Sequence, residues 1–196
     1  MKKQFITACL FTVVTTVLLG IGYPLAVTGL AHLLMPAQAN GELISQSGVL
    51  VGSKLIGQSF TGSGYFNSRP SAAGVGYDAA NSSGSNLGPT NASLIARVDQ
   101  SVRSWRTREA KAGNDGAGVP IDLVTTSGSG LDPDITVASA EYQVPSVAQS
   151  RGLSKDQLEH LVQAHIEPRQ FGFLGEPRVN VLELNLALDT LAAQHK

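Results

Sequence analysis

The chain has 196 residues, one cysteine and nearly balanced charge, with 14 Lys and Arg against 15 Asp and Glu. That length holds one ordinary domain beside a membrane segment. A single cysteine excludes a disulfide framework and a cysteine metal site, and the lack of a basic excess speaks against a nucleic-acid partner.

Residues 4–41 carry no Asp, Glu, Lys or Arg, while Lys2 and Lys3 stand just before them and Glu42 just after. A bilayer core of about 30 Å takes about 20 apolar residues as a helix. A lone segment in lipid must satisfy its own backbone groups, which only a helix does. The pattern predicts an N-terminal anchor over 1–39 with a transmembrane helix at about 8–34. Ala37-Gln38-Ala39 has the small-x-small form of a signal-peptide cleavage site. The apolar core of a signal peptide is about 7–15 residues, however, and the run here is about twice that, which favours a retained anchor. Gly20, Gly22 and Pro24 interrupt the run, as kink points or as a small face for a partner helix. Lys2 and Lys3 place the N-terminus in the cytoplasm by the positive-inside rule. Residues 40–196 would then form one domain on the other side.

Beyond the anchor, Leu43, Val49, Val51, Leu55 and Ile56 suggest short strands. A Gly-, Ser- and Asn-rich stretch to Asn91 reads as loop. Phe60, Tyr65, Phe66 and Tyr77 give it aromatic anchors that linkers lack. Asn91 can cap a helix in which Leu94, Ile95, Val98, Val102 and Trp105 recur at helical spacing. Arg97, Asp99, Arg103, Arg106 and Arg108 form a face expected to be solvated, and Gly113-Asn114-Asp115-Gly116 ends the helix. Val119–Val124 reads as a short strand. A further helix should begin near Thr136, with Pro145 kinking or stopping it. Ser154 and Gln157 form a capping box ahead of Leu158, Leu161, Val162 and Ile166, with Glu167-Pro168-Arg169 ending that helix. Val179–Leu184 reads as a strand and Asn185 as the cap of a last helix. Interleaved short strands and helices predict a mixed α/β domain of the α+β kind.

No phosphate-binding GxxxxGK[ST], zinc-binding HExxH or GxSxG nucleophile elbow occurs. His160 and His165 are five apart, poor spacing for two ligands on one helical face. No catalytic or metal-ligating residues are assigned. Two loops stand out. Phe66-Asn67-Ser68-Arg69-Pro70-Ser71 joins an aromatic, a cation and a stiff proline, which suits a binding hook as well as an ordered turn. Ser127-Gly128-Ser129-Gly130 has the small residues that let backbone N–H groups approach a phosphate, but a glycine-serine turn alone is a weak signal and better suits a plain flexible turn.

Several blocks carry a resemblance. They are Gly57-Gln58-Ser59-Phe60, Tyr65-Phe66-Asn67-Ser68-Arg69-Pro70-Ser71, Tyr77-Asp78 and the run from Ser82 to Asn91. The run from Pro120 to Pro133, Tyr142-Gln143-Val144-Pro145, Arg151-Gly152-Leu153 and the run from Gly175 to Leu182 follow in order. With the N-terminal anchor, they make the chain resemble the C subunits of Kdp potassium-importing P-type ATPases over nearly its full length.

The resemblance implies an accessory, non-catalytic subunit of a bacterial inner-membrane complex. Its partners would be a channel-like subunit that selects potassium, a P-type subunit that hydrolyses ATP, and the bilayer. Potassium would be the transported ion, and the chain would have no cofactor of its own. The P-type subunit's DKTGT motif is absent here, which fits a helper. A single anchor and a periplasmic domain over the channel-like subunit are expected, with Phe66, Arg69, Pro70, Tyr77, Asp78 and Asn86 as the partner interface. The family subunit has also been likened to ABC transporters in assisting ATP binding. Ser127, Gly128, Ser129, Gly130, Leu131 and Asp132 would be that loop. A cytoplasmic nucleotide role conflicts with an outer domain, and the topology argument has the more direct physical basis. The alternative from another class is a membrane-tethered periplasmic hydrolase or ligand-binding domain.

Overall fold

The computed structural model describes residues 1–46 and 48–194. It divides the chain into two compact units that meet between Ser53 and Lys54. The last two residues of the expected 40–196 domain lie outside the described residues.

The first unit opens with a continuous helical stretch, Lys2–Leu34, that is long and apolar enough to cross a membrane. It comprises α1 (Lys2–Thr15), a π-helical segment (Thr16–Gly22) and α2 (Tyr23–Leu34). The wider turn has a local cause. Pro24 lacks an N–H, and its ring would clash with the carbonyl four residues back, so the preceding backbone takes the longer i→i+5 pattern. The glycines and proline therefore widen the helix without ending it. Thr12 and Thr15 return their hydroxyls to the Ala8 and Phe11 carbonyls at 2.9 and 2.8 Å, which satisfies both donors within the helix. After α3 (Pro36–Ala39), strands β1 (Leu43–Gln46) and β2 (Val49–Ser53) pair antiparallel. Leu55 and Ile56 lie in the turn that follows, not in a strand.

The second unit is α+β. Helix α4 (Ala92–Lys111) starts at Asn91, whose side chain accepts from the Ser93 and Leu94 N–H groups. The stretch Ile121–Leu123 is one 3₁₀ turn, not the expected strand. Asp122 explains it. Its buried carboxylate accepts from the Thr136 N–H at 2.8 Å and from the Thr136 and Ser139 hydroxyls, and so clamps the turn to the start of the next helix. That helix, α5 (Val137–Arg151), is capped by Thr136 and runs through Pro145 without stopping. Burial of Val144, Val147 and Ala148 on both sides of the proline outweighs its missing bond.

Helix α6 (Lys155–Ala164) begins at the Ser154–Gln157 capping box and ends at Ala164, short of Glu167. Three very short strands form an antiparallel sheet in the order β3 (Asp134–Thr136), β5 (Arg178–Asn180), β4 (Ile166–Glu167). Ile135 and Ile166 both face Val179 across the ladder. Helix α7 (Val181–Gln194) starts directly after β5. Asn180, not Asn185, supports its first turn by accepting from the Glu183 N–H at 3.1 Å. The core joins Ile135 and Val179 of the sheet to Ala140, Val144 and Val147 of α5, Leu158 and Val162 of α6, and Leu184 and Leu188 of α7.

Candidate functional site

The irregular segment from Gly57 to Asn91 has almost no secondary structure of its own, so other elements must satisfy its backbone. Two side-chain amides do this as a neighbouring strand would. Asn185 on α7 accepts from the Phe66 N–H and donates to the Phe66 carbonyl, both at 2.9 Å. Gln143 on α5 accepts from the Asn67 N–H at 2.7 Å and donates to the Asn67 carbonyl at 3.2 Å.

Two arginines complete the hold. Arg108 donates to the Ser63 and Tyr65 carbonyls, to Ser146 and to the Asn67 side chain, and its guanidinium lies 5.0 Å from the Trp105 ring. Arg151 donates to the Gly64 carbonyl at 2.6 Å, pairs with Asp189 at 2.7 Å and lies 4.3 Å over the Tyr65 ring. The face of α4 expected to be solvated thus contains one of the main braces, and Glu109 beside it is fully buried.

This bracing corrects the hook. Phe66 is 0% exposed and belongs to the core cluster, so its ring is unavailable to a partner. Arg69 is half-buried and turned toward the second loop, with Nη1 3.1 Å from Asp132 and Nη2 3.4 Å from the Thr126 carbonyl. Tyr77 sits at φ +57°, a backbone region costly for an aromatic residue. Its N–H donates to the Ser71 hydroxyl at 2.8 Å and its phenol to the Arg69 carbonyl, which hold it there. Burial pushes the Tyr77 phenol above its ordinary range. Pro70 and Asp78 are partly exposed and Asn86 is exposed. The Asp78 carboxylate accepts from Asn81 and the Ala80 N–H, which hold its pKa below the usual range.

The two loops picked out separately by sequence are one assembly. Ser71 donates to the Gly130 carbonyl at 2.6 Å, and the Ser83 N–H and Ser82 hydroxyl donate to the Ser129 carbonyl at 2.9 and 3.0 Å. The Leu131 carbonyl accepts from the Gly57 N–H at 2.8 Å. Within the glycine-serine loop, the Gly130 N–H donates to Ser127 Oγ and the Leu131 N–H to Ser129 Oγ. Gly130 sits at φ +69°, where a Cβ would stand 2.6 Å from the Ser83 carbonyl oxygen and 2.7 Å from the Ala73 nitrogen. Two of the loop's donors are therefore spent internally and Asp132 is neutralised by Arg69. The loop leads into strand β3 and not directly into a helix.

Between this assembly and α4 lies a cavity of about 380 Å³. Ser59, Arg69, Pro70, Tyr77, Gln100 and Trp105 are among its walls. Hydroxyls, an amide and aromatic faces equip it to hold a polar chain segment. Among the described residues, no group of three or more His, Cys, Asp or Glu is placed to hold a metal ion.

Sequence reasoning passed over Asn185, Gln143, Arg108 and Arg151 as braces. An amide or a cation inside an apolar helical stripe was the available signal for Asn185, Gln143 and Arg151, whereas Arg108 on the charged face of α4 offered none. It also passed over Phe171 and Phe173, which are 80% and 71% exposed.

The comparisons with known proteins agree over nearly the full chain. Residues 5–190 match the family described as KdpC: K+-transporting ATPase, c chain. The potassium-transporting ATPase KdpC subunit of Koribacter versatilis is 58% identical over 189 residues, covering 96% of this chain and 95% of that one. The subunit of the same name from Acidobacterium capsulatum is 54% identical, covering 94% and 97%. That from Mycobacterium tuberculosis is 53% identical, covering 97% and 100%. An anchor-length helix, interlocked polar loops and this full-length likeness lead to one conclusion: the chain belongs to the KdpC family.

Proposed function

We propose that the chain is the accessory, non-catalytic subunit of a high-affinity ATP-driven potassium-import complex in a bacterial inner membrane. The observation that carries this reading is the full-length likeness to potassium-transporting ATPase subunits. The helix Lys2–Leu34 crosses the bilayer once with Lys2 and Lys3 on the cytoplasmic side. The unit from Lys54 onward lies in the periplasm and docks on a channel-like, potassium-selecting subunit, beside a catalytic P-type subunit. Arg69, Pro70 and Tyr77 line the α4 cavity, and with Asp78 and Asn86 they supply part of that contact. The subunit stabilises assembly and carries no cofactor, potassium being the cargo of the complex. A membrane-tethered hydrolase is the weaker reading.

A second reading has Ser127–Asp132 assist ATP binding by the catalytic subunit. The surface position of Gly128 and Ser129 favours it. The internally bonded Gly130 and Leu131 donors and the Arg69–Asp132 pair weigh against it, and we give the loop a bracing role.

Two measurements test the proposal. A reporter fused after Lys196 should be active in the periplasm and silent in the cytoplasm, on a chain that keeps its N-terminus; a mature chain starting at Asn40 would refute the anchor. Solubilisation in mild detergent should bring down a P-type ATPase subunit with the tagged chain. Recovery of the chain alone would favour the hydrolase or ligand-binding alternative.

A further inference from the structure

The loop joining β4 to β5 is a tight hairpin with apolar residues at its tip. Gln170 and Leu174 exchange both backbone hydrogen bonds, each at 2.9 Å, and the Gly172 and Phe173 N–H groups donate to the Arg169 and Gln170 carbonyls. An Arg169–Glu176 ion pair at 2.5 Å closes its base. Phe171, Phe173 and Leu174 are 80%, 71% and 47% exposed on this rigid mount. Phe171 also sits at φ +54°, which a bulky side chain occupies only at a cost. The ring gains nothing from the fold in return, since it is in solvent. Asn or Gly would be the residue of choice if the turn were all that mattered.

We propose that this tip is a wedge that seats in an apolar recess of a neighbouring subunit of the potassium-transporting complex. The inference rests on the reading of the chain as a subunit, and deepens it by naming a contact surface. Two further observations choose a protein recess over a lipid surface. The charges at the hairpin's root are already spent. Arg178 pairs with Asp134 and Glu167, both at 2.8 Å, and Lys54 pairs with Glu167 at 2.8 Å and Glu183 at 3.1 Å. Three cations meet four carboxylates there, which leaves no spare positive charge for anionic headgroups. Second, the tip is preorganised by its own bridge and turn hydrogen bonds, so burying two phenylalanines costs little ordering, the condition for an interface anchor. The Lys54 carbonyl, where the chain joins this unit, also accepts from the Asn180 side-chain amide at 2.9 Å at the root of the same hairpin.

The test uses the full chain in its native membranes. A photo-crosslinking phenylalanine analogue at position 173 should link to another polypeptide of the complex, while the same group at Glu159, exposed on α6, serves as the comparison. Phe171→Ser with Phe173→Ser should retain about tenfold less partner than the unaltered chain after detergent extraction. Phe171→Asn, which suits the left-handed backbone, should raise thermal stability while lowering partner retention. If the unaltered chain brings down no partner, the subunit reading itself fails. If it does, and position 173 links only to lipid, to a second copy of this chain or to nothing, the wedge is overturned. Full partner retention by the double variant overturns it equally.

Discussion

Two connecting segments of the second unit use their aromatic residues in opposite ways. The segment 57–91 is polar, glycine-rich and long, the composition of a linker, yet its Phe66 ring is completely buried. The hairpin 168–177 is short and regular, yet its two phenylalanines are in solvent. The difference lies in who satisfies the backbone. The long segment is paired by Asn185, Gln143, Arg108 and Arg151 from three helices, and this borrowed pairing lets an apolar ring go inside. The hairpin satisfies itself, so its side chains are free for something outside the domain. Regularity here marks display, and irregularity marks structure.

The sharpest way to break this contrast is to truncate the aromatics on each side. Phe66→Ala should cost about 3–5 kcal/mol, the range for emptying a buried aromatic site. Asn185→Ala should cost about 2–3 kcal/mol, because it leaves the Phe66 N–H and carbonyl buried without partners. Phe171→Ala and Phe173→Ala should each fall within about 0.5 kcal/mol of the unaltered chain. Urea unfolding of the full chain in detergent, followed by Trp105 fluorescence, reads all four. A Phe66 variant as stable as the Phe173 variant would return Phe66 to the surface.

Glycines sharpen the contrast at smaller scale. Gly130 and Gly128 are two residues apart in one loop, but only Gly130 is wedged at positive φ against Ser83 and Ala73. A Cβ at Gly128 would meet nothing within 4 Å. Gly130→Ala should destabilise by about 2 kcal/mol, from backbone strain together with overpacking. Gly128→Ala should be close to neutral. If the loop serves nucleotide binding and not bracing, the order reverses in function: Gly128→Ala would lower ATP affinity of the assembled complex while Gly130→Ala left the fold intact.

Where structure was set by a few neighbouring residues, the sequence was readable. Asn91 and the Ser154–Gln157 box start helices where their side-chain chemistry says they must. The uncharged run forms one long helix for the same local reason. What could not be read was set by distant partners. Asp122 turns an apparent strand into a 3₁₀ turn by clamping Thr136 and Ser139. Packing carries α5 through Pro145. Asn185 resembles a helix cap but spends its amide on Phe66, more than a hundred residues earlier in the chain. The two candidate loops were both legible as unusual, but their joining through Ser71, Arg69 and Asp132 was not, since no local pattern encodes which loops meet.

An effect smaller than that at Gly130 is expected at Glu109, fully buried on α4 beside the Arg108 brace. Neither of its oxygens has hydrogen-bond geometry to a partner among the described residues, and Arg108 Nε is 3.8 Å away. The nearby Ser146 hydroxyl donates instead to the Gln143 carbonyl. Burial therefore raises the Glu109 pKa, with Ser146 and Arg108 opposing without reversing it. The sign follows from linkage. Between the ordinary glutamate pKa and the raised folded value, the folded chain holds a proton that the unfolded chain has released. Over that window stability falls as pH rises, because the buried carboxyl must either keep its proton or ionise without a partner. Glu109→Gln removes this contribution, so the variant should be flatter with pH there and gain on the order of 1 kcal/mol near neutrality. Parallel urea titrations of both chains from acid to neutral pH check it. A native chain that gains stability across the window relative to the Gln variant would mean the carboxylate is paired with Arg108 in solution, making Glu109 part of the brace that holds the long loop.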